Sequence, residues 1–222
     1  MKRVARVLCA GVAAALLLSA CATPSTQPPV NSAEQQARLE ALSQFRFTGG
    51  LGIWTDEDSI SARIDWKQAV DELTVLLSAP LGFGNLTLVD SQGLAELKRG
   101  NTRLASGESV DRVLQNGLGL SAPVPVAQLQ RWVRGLPGEA DSINKDEQGR
   151  LASLRYKDAE GTRWQARFLK YSVHDGVTLP ALITASGGPY SVRLVLKDWQ
   201  IDEVAESIDT TPSNTRLAIP AR

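Results

Sequence analysis

The sequence predicts a mainly β protein whose strands form an antiparallel meander, folded into a sandwich or a barrel, with helices covering its open side. Three observations support this prediction. Apolar residues recur at every second position in many short segments, which is the period of a half-buried strand. Turns marked by glycine separate these segments at regular spacing. Two amphipathic helical segments interrupt the pattern near the middle of the chain, and their apolar faces require a partner.

The N-terminus has the composition of an export signal. Its basic residues, Lys2, Arg3 and Arg6, precede an apolar run over residues 7–18 that is too short to span a bilayer. The run leads into Leu-Ser-Ala-Cys, ending at Cys21, which resembles a bacterial lipobox. The resemblance implies cleavage before Cys21 and acylation of its thiol and its new amine, which would form a stable anchor. The alternative is an ordinary export signal with a cysteine there by chance.

We therefore expect residues 1–20 to be a lipoprotein signal peptide, and residues 21–31 to hold the lipidated cysteine and a flexible, proline-rich tether. Cys9 leaves with the signal, so Cys21 would be the only cysteine of the mature chain and would be blocked. A disulfide and a thiol nucleophile are then excluded. Residue 22 is Ala and not Asp. By the sorting pattern of such lipoproteins, this implies a lipid-anchored protein of the outer membrane that faces the periplasm.

Length and charge limit the function further. A chain of 222 residues, 43% of them apolar, supports one domain, which we place at residues 32–201, followed by a polar C-terminal tail at 202–222. The formal net charge is zero, and removal of the basic signal residues leaves the remainder slightly acidic. The chain therefore lacks the basic stripe of a nucleic-acid-binding protein, and its charge balance predicts no large polybasic patch for anionic lipid.

The first predicted element of the domain is a helix with Ser32 as its N-cap and Gln35 three residues later, ending near Leu42. The period then changes from that of a helix to that of a strand. Segments with period two lie at residues 45–53, 60–66, 73–77, 86–88, 93–97, 102–105, 151–156, 164–171, 179–185 and 190–201.

Two further helices interrupt these strands. The first spans residues 109–118, and its apolar side chains fall on one face. The second has Pro125 at an N1-like position, where the missing N–H is of no consequence, and it stops at the glycine-rich residues 135–138. We expect both apolar faces to cover the open side or the mouth of the sheet.

The connection between the third and fourth predicted strands is an unusual loop. Proline and two glycines place a hairpin turn at residues 80–85, yet Leu81 and Phe83 put apolar side chains near its tip. Two interpretations follow from the loop alone. The side chains fold back into the core, or the loop offers apolar surface to something else.

The chain carries no recognisable catalytic constellation. His174 is its one histidine, predicted in a loop, with no second histidine to form a metal site. Ser121 lies outside the glycine pair of Gly-Leu-Gly-Leu-Ser and follows no strand, so it is not a nucleophile elbow. The five tryptophans fit a core or, together, the wall of an apolar cavity. We expect no enzymatic activity, no cofactor and no metal.

Three stretches, at residues 78–82, 125–138 and 194–199, together resemble the outer-membrane lipoprotein receptor family LolB. The first is Ser-Ala-Pro-Leu-Gly after a strand. The second contains Leu-Gln-Arg-Trp-Val-Arg-Gly-Leu-Pro-Gly, and the third is Leu-Val-Leu-Lys-Asp-Trp. The resemblance also includes the lipobox. It implies a LolA/LolB-like fold, which is an incomplete, half-open antiparallel β-barrel covered by helices, with an apolar cavity between them.

The resemblance also implies a function. Members of this family accept acylated lipoproteins from the soluble periplasmic carrier LolA and insert them into the outer membrane without nucleotide. In the family the Pro-Leu-Gly loop projects its leucine, which is needed for release into the membrane. The matching residues here are Pro80, Leu81 and Gly82, and Phe83 would extend the apolar tip. LolA, acylated cargo and outer-membrane lipid are therefore the expected partners, and we expect a monomer.

Candidate residues of the cavity follow from the alternation and not from the resemblance. A slip of one residue would exchange the two faces of a strand, so these choices depend on the register. They are Ile53, Ile64, Trp66, Leu77, Leu88, Trp164 and Phe168 on the strands, with Val113, Leu114, Leu129 and Val133 on the helices. The competing hypothesis is an outer-membrane lipoprotein that binds another apolar ligand or serves as an assembly scaffold.

Overall fold

Eleven strands form one antiparallel sheet in the computed structural model, which describes residues 32–57, 59–79 and 84–201. The predictions for Cys21, for the loop residues Pro80, Leu81, Gly82 and Phe83, and for the tail at 202–222 lie outside these residues. The elements are α1 (Ser32–Ala41), β1 (Phe45–Trp54), β2 (Ser59–Ala69), β3 (Glu72–Ser78), β4 (Asn85–Ser91), β5 (Leu94–Arg99), β6 (Thr102–Gly107), α2 (Val110–Leu118), α3 (Val126–Trp132), β7 (Ser142–Lys145), β8 (Leu151–Lys157), β9 (Arg163–His174), β10 (Val177–Gly187) and β11 (Tyr190–Ile201).

The sheet has the strand order β6-β5-β4-β3-β2-β1-β11-β10-β9-β8-β7. It therefore consists of two meanders, β1 to β6 and β7 to β11, joined where the first strand pairs with the last. Strands β6 and β7 are the two edges and do not pair with each other. The sheet is thus an unclosed barrel, and the predicted half-open architecture is confirmed. No helix among the described residues is long and apolar enough to cross a membrane.

The helical cover follows directly from this topology. The chain leaves the sheet at one edge, β6, and re-enters at the other, β7, so the intervening segment has to cross from edge to edge. That segment carries α2 and α3, and α2 packs against β5, β6 and α3. Ser109 caps α2 by accepting a hydrogen bond from the backbone N–H of Arg112 (3.4 Å), and Gly119 ends it in the left-handed conformation at φ 64°.

Pro125 lies one position earlier than predicted, at the N-cap of α3 and not inside its first turn. Its ψ of 71° is not helical, so the first helical residue is Val126. Proline offers no side-chain acceptor for the free N–H groups that follow. Asp111 of α2 supplies one, because its Oδ1 accepts a hydrogen bond from the Ala127 N–H at 3.1 Å.

Other differences from the predicted elements are local. Strand β7 was not predicted, because its four residues are all exposed and show no alternation. His174 is the last residue of β9 and not part of a loop, since the hairpin turn lies at Asp175 and Gly176, both with positive φ. Strand β10 extends two residues beyond the predicted segment 179–185, to Gly187, so the turn to β11 lies at residues 188–189.

A bulge lies where the two meanders of the sheet join. The register between β1 and β11 shifts between Arg46 and Thr48, and Asp198 opposite them has φ 48°. Such a bulge bends and twists its strand. Next to it, a Cβ at Gly49 would lie 1.8 Å from the carbonyl oxygen of Val195, so only glycine permits this approach. On the concave side, Phe47 stacks on Trp66 with ring centroids 5.7 Å apart.

Candidate functional site

An apolar cavity of about 170 Å³ lies between the concave face of the sheet and the segment that carries α2 and α3. None of the described residues that line it bears a charge. All of the side chains except Thr55, Trp66 and Tyr190 are hydrocarbon. The lining consists of Leu51, Ile53, Thr55, Ile60, Ile64, Trp66, Val75, Leu77, Leu86, Leu88, Leu97, Leu114, Leu118, Leu120, Val124, Val126, Leu129, Ile183, Ala185, Tyr190, Val192 and Leu194.

The structure brings together seven of the residues predicted for the cavity. These are Ile53, Ile64, Trp66, Leu77, Leu88, Leu114 and Leu129. Trp66 is only 2% exposed, and its indole N–H has no hydrogen-bond partner among the described residues.

The other four predicted residues are buried elsewhere. Val113 points to β6, where a Cβ on Gly107 would lie 3.5 Å from its Cγ2, and Val133 lies fully buried at the C-cap of α3. Trp164 packs over Gly187 and donates its indole N–H to Asp158 Oδ2 at 3.3 Å. These residues do not line the cavity, because a helix or strand face that points into the core need not reach the cavity.

Phe168 is also absent from the lining, for a topological reason. It lies on β9, which is separated from β11 by β10, and it borders a different cleft, beside Arg150 and Tyr171. Two strands that the alternation alone does not assign to the cavity take its place. The inward positions of β10 and β11 contribute Ile183, Ala185, Val192 and Leu194. The same alternation would have identified them once the pairing of β1 with β11 was known.

Three polar contacts hold the helical cover, which we define as α2, α3 and residues 119–125 between them. The Tyr190 hydroxyl lies 3.1 Å from Ser121 Oγ and accepts a hydrogen bond from the Ala122 N–H at 3.3 Å. Arg112 of α2 forms an ion pair with Glu160 of the β8–β9 turn. The third contact is the hydrogen bond between Asp111 and the start of α3. Two of these contacts, at residues 121–122 and at Arg112, attach the cover to the sheet and its β8–β9 turn, and the third joins α2 to α3 within the cover.

Asp111 has an electrostatic cost that follows from its position. Burial raises the pKa of this carboxyl group above its usual value, and the backbone N–H groups of Ala127 and Val126 oppose that rise. The nearby carboxylates of Glu160 and Asp158 raise the pKa further. The cover is thus held partly by a carboxylate whose charged form is disfavoured.

One end of the cavity lies beside the β3–β4 connection. Leu77 and Leu86, which line the cavity, pair directly across β3 and β4, and Ser78 pairs with Asn85 one residue further on. The predicted apolar loop therefore leaves and re-enters the sheet at the cavity wall. The tip of the β1–β2 hairpin lies at the same end of the sheet, where Ile60 is 38% exposed and also lines the cavity. We call this end of the sheet the mouth end.

Comparison with known proteins gives one consistent result. The family model described as "Outer membrane lipoprotein LolB" matches residues 43–199, which is more than half of the chain. The chain is 32% identical over 195 residues to the outer-membrane lipoprotein LolB of Stutzerimonas stutzeri, covering 84% of this chain and 91% of that one. It is 34% identical over 174 residues to the protein of the same name from Pseudomonas savastanoi pv. phaseolicola, covering 78% and 82%.

A solved structure supports the fold alone. A LolA superfamily protein from Nitrosomonas europaea aligns with a TM-score of 0.50 at 10% identity, covering 77% of this chain and 94% of that one. At this identity the likeness says nothing about ligands. It shows that the two chains share their overall fold.

Proposed function

The chain belongs to the LolB family of outer-membrane lipoproteins, and we propose that it accepts acylated lipoproteins from the periplasmic carrier LolA and inserts them into the outer membrane. In this proposal Cys21 carries the lipid anchor, and residues 21–31 tether a monomeric domain that faces the periplasm. The protein performs no covalent chemistry on its cargo and uses no cofactor.

The observation that supports the proposal best is the uncharged, almost wholly hydrocarbon cavity. Transfer of a methylene group from water into such surroundings is favourable by about 0.8 kcal/mol. Acyl chains therefore supply the binding energy themselves, and neither a charge nor a hydrogen bond has to recognise them. A receptor built this way distinguishes acylated from unmodified protein and tolerates cargo of any sequence.

The enclosed volume limits how the cargo is held. An apolar cavity of about 150 Å³ accommodates one benzene molecule, so the 170 Å³ seen here holds only part of a fatty acyl chain. We propose that this is the closed form, and that the helical cover moves away from the sheet as a chain enters. The contacts of Tyr190 with Ser121 and Ala122 join neutral groups, so they separate without exposing a charge to the acyl chain, whereas the contact of Asp111 joins α2 to α3 and moves with the cover.

Release requires a path from the cavity into the bilayer. The flanks of the β3–β4 connection line the cavity, and the connection itself carries Leu81 and Phe83. We propose that Leu81 enters the interface of the membrane, so that chains pass from the cavity into lipid without crossing water. Transfer then runs downhill in acyl-chain affinity from carrier to receptor to bilayer, which requires no nucleotide.

The variant Leu81→Glu tests this step. We expect it to accept cargo from the carrier as the wild type does, and to release at least tenfold less cargo to liposomes, because a carboxylate resists entry into the membrane. Val70→Glu is the matched control, since Val70 is 65% exposed in the β2–β3 turn at the opposite end of β3. Equal release by wild type and Leu81→Glu would contradict the proposal.

The small enclosed volume also favours a second candidate, a lipoprotein that binds a compact apolar ligand. Native mass spectrometry of the protein from cells would separate the two. Recovery of acylated lipoprotein supports the receptor, whereas recovery of a small apolar molecule alone supports the second candidate.

A further inference from the structure

Three cations meet at one corner of the outer face of the sheet. Arg155 and Lys157 lie at the end of β8, and Arg163 lies at the start of β9. All three are exposed, and they alternate with Tyr156 and the buried Trp164, which point to the inner face. We call Arg155, Lys157 and Arg163 the basic corner.

The arrangement within the corner is electrostatically unfavourable. Lys157 pairs directly with Arg163 across the two strands. Directly opposed side chains in an antiparallel pair have Cβ atoms about 5 Å apart, and like charges in such positions destabilise the sheet. No member of the corner forms an ion pair with another described residue, although six ion pairs occur elsewhere among the described residues. The corner therefore lacks a counter-charge of its own.

Most of the nearby carboxylates already have hydrogen-bond or ion-pair partners. Asp158 accepts hydrogen bonds from the Thr162 N–H at 2.7 Å and from the Trp164 indole at 3.3 Å, which fixes it within the turn. Glu160 is paired with Arg112 of the helical cover. Asp141 borders a cleft at the corner, and its side chain forms no hydrogen bond or ion pair with another described residue. The cleft thus keeps an excess of positive charge.

The cleft at the corner has room for a ligand and groups to bind one. Its volume is about 820 Å³, and Ser142, Ser186 and Gly188 border it together with the three cations. Serine hydroxyls and guanidinium groups are the donors that bind phosphate oxygens, the guanidinium in bidentate fashion. Beyond the cleft, Arg167 and Arg193 extend the positive charge across the same face, flanking Thr184 on β9 and β11.

The position of the corner indicates where the phosphate comes from. Lys157 and Arg163 are the last pair of β8 and β9, and the pair Gly187 and Tyr190 closes β10 and β11 at the same end of the sheet. This is the mouth end, where the β3–β4 connection also leaves the sheet. If that connection meets the membrane, as the proposed function requires, the basic corner faces the lipid headgroups.

We propose that the basic corner binds the phosphates of anionic phospholipid headgroups and so holds the mouth end of the receptor against the membrane. The proposal rests on the proposed function for the orientation of the molecule. It gives the two contacts separate roles. The apolar connection opens a path for acyl chains, and the corner sets the tilt at which that path points into the bilayer. The phosphate supplies the counter-charge that the opposed Lys157 and Arg163 lack.

Flotation with liposomes tests the proposal. The protein is the mature chain, residues 21–222, with Cys21→Ala so that no acyl anchor contributes. The liposomes are phosphatidylcholine with 0, 15 or 30% phosphatidylglycerol, at low and high salt. We expect the triple variant Arg155→Gln/Lys157→Gln/Arg163→Gln to bind the anionic liposomes about a hundredfold more weakly, since each cation near such a surface contributes about fivefold. High salt should remove the difference.

The matched control is Lys67→Gln/Lys170→Gln/Lys197→Gln, which removes three exposed cations distant from the mouth end and should keep most of the binding. Equal binding by the corner variant and the wild type would overturn the proposal. The proposal would also be overturned if the corner variant bound liposomes normally but accepted cargo slowly, because the corner would then be a docking site for the carrier. Inorganic phosphate that bound as tightly as the liposomes would show a free anion to be the ligand. Failure of the proposed function would appear separately, as loss of cargo acceptance by the wild type.

Discussion

The cavity makes a quantitative prediction at Ala185. This residue is 8% exposed on β10, and its methyl group lines the cavity. A benzene molecule fills an apolar cavity of about 150 Å³, so the ring of Ala185→Phe should occupy most of the 170 Å³ available. It would displace roughly four to six methylenes of an acyl chain, worth about 3–5 kcal/mol at 0.8 kcal/mol each. Acceptance of cargo should therefore fall more than a hundredfold.

The assay incubates the purified receptor with a complex of carrier and acylated lipoprotein, and measures the cargo recovered on the receptor. Thermal unfolding shows whether each variant is folded. Ala185→Leu adds a smaller group and should give an intermediate loss. Thr184→Phe is the control, because it places the same ring on the outer face of the same strand. A folded Ala185→Phe that accepted cargo as well as Thr184→Phe would show that acyl chains bind elsewhere.

Two further predictions concern the scaffold. Asp111→Ala should lower the free energy of unfolding by about 1 kcal/mol, because it removes the acceptor for the Ala127 N–H, whereas Asp111→Asn keeps an acceptor. Since burial raises the pKa of Asp111, its charge costs stability above that pKa. In urea unfolding, the free energy of unfolding of the wild type should therefore rise relative to that of Asp111→Asn as the pH falls through this pKa. Gly49→Ala should prevent folding or cost several kcal/mol, because its Cβ would meet the Val195 carbonyl, while Gly50→Ala, with open space, should change the melting temperature little.

Local patterns were sufficient to predict most of the elements. Period-two alternation located ten of the strands because each has one buried and one exposed face, as in β3, where Leu73 and Val75 are buried and Leu76 is exposed. The strand that was missed, β7, lies at the edge of the sheet with both faces exposed, so no alternation marks it. The pairing of β1 with β11 joins residues about 150 positions apart in the chain, and no local pattern records it.

The same limit explains the errors in the candidate cavity. The eleven candidate residues point inward by the alternation of their own elements, and all of them are at least partly buried. Inward orientation is a property of one strand, whereas a position beside the cavity depends on the order of the strands. Trp164 and Phe168 lie on β9, and the cavity is bounded by β1 to β5, β10 and β11. The strand order therefore decides which buried residues are core and which are wall.

The distribution of charge on the surface, like the cavity wall, depends on how the strands pair. The near-zero net charge predicted no large basic patch, yet the sheet places Arg155, Lys157 and Arg163 together with no acidic side chain on the strand positions between them. Their nearest acidic neighbours in sequence, Asp158 and Glu160, are turned to other partners by the β8–β9 turn. An electrostatic surface is thus a product of register and of local hydrogen bonds. Net charge determines how strongly the whole chain attracts charged partners at long range. The strand register determines where on the surface the uncompensated charge lies.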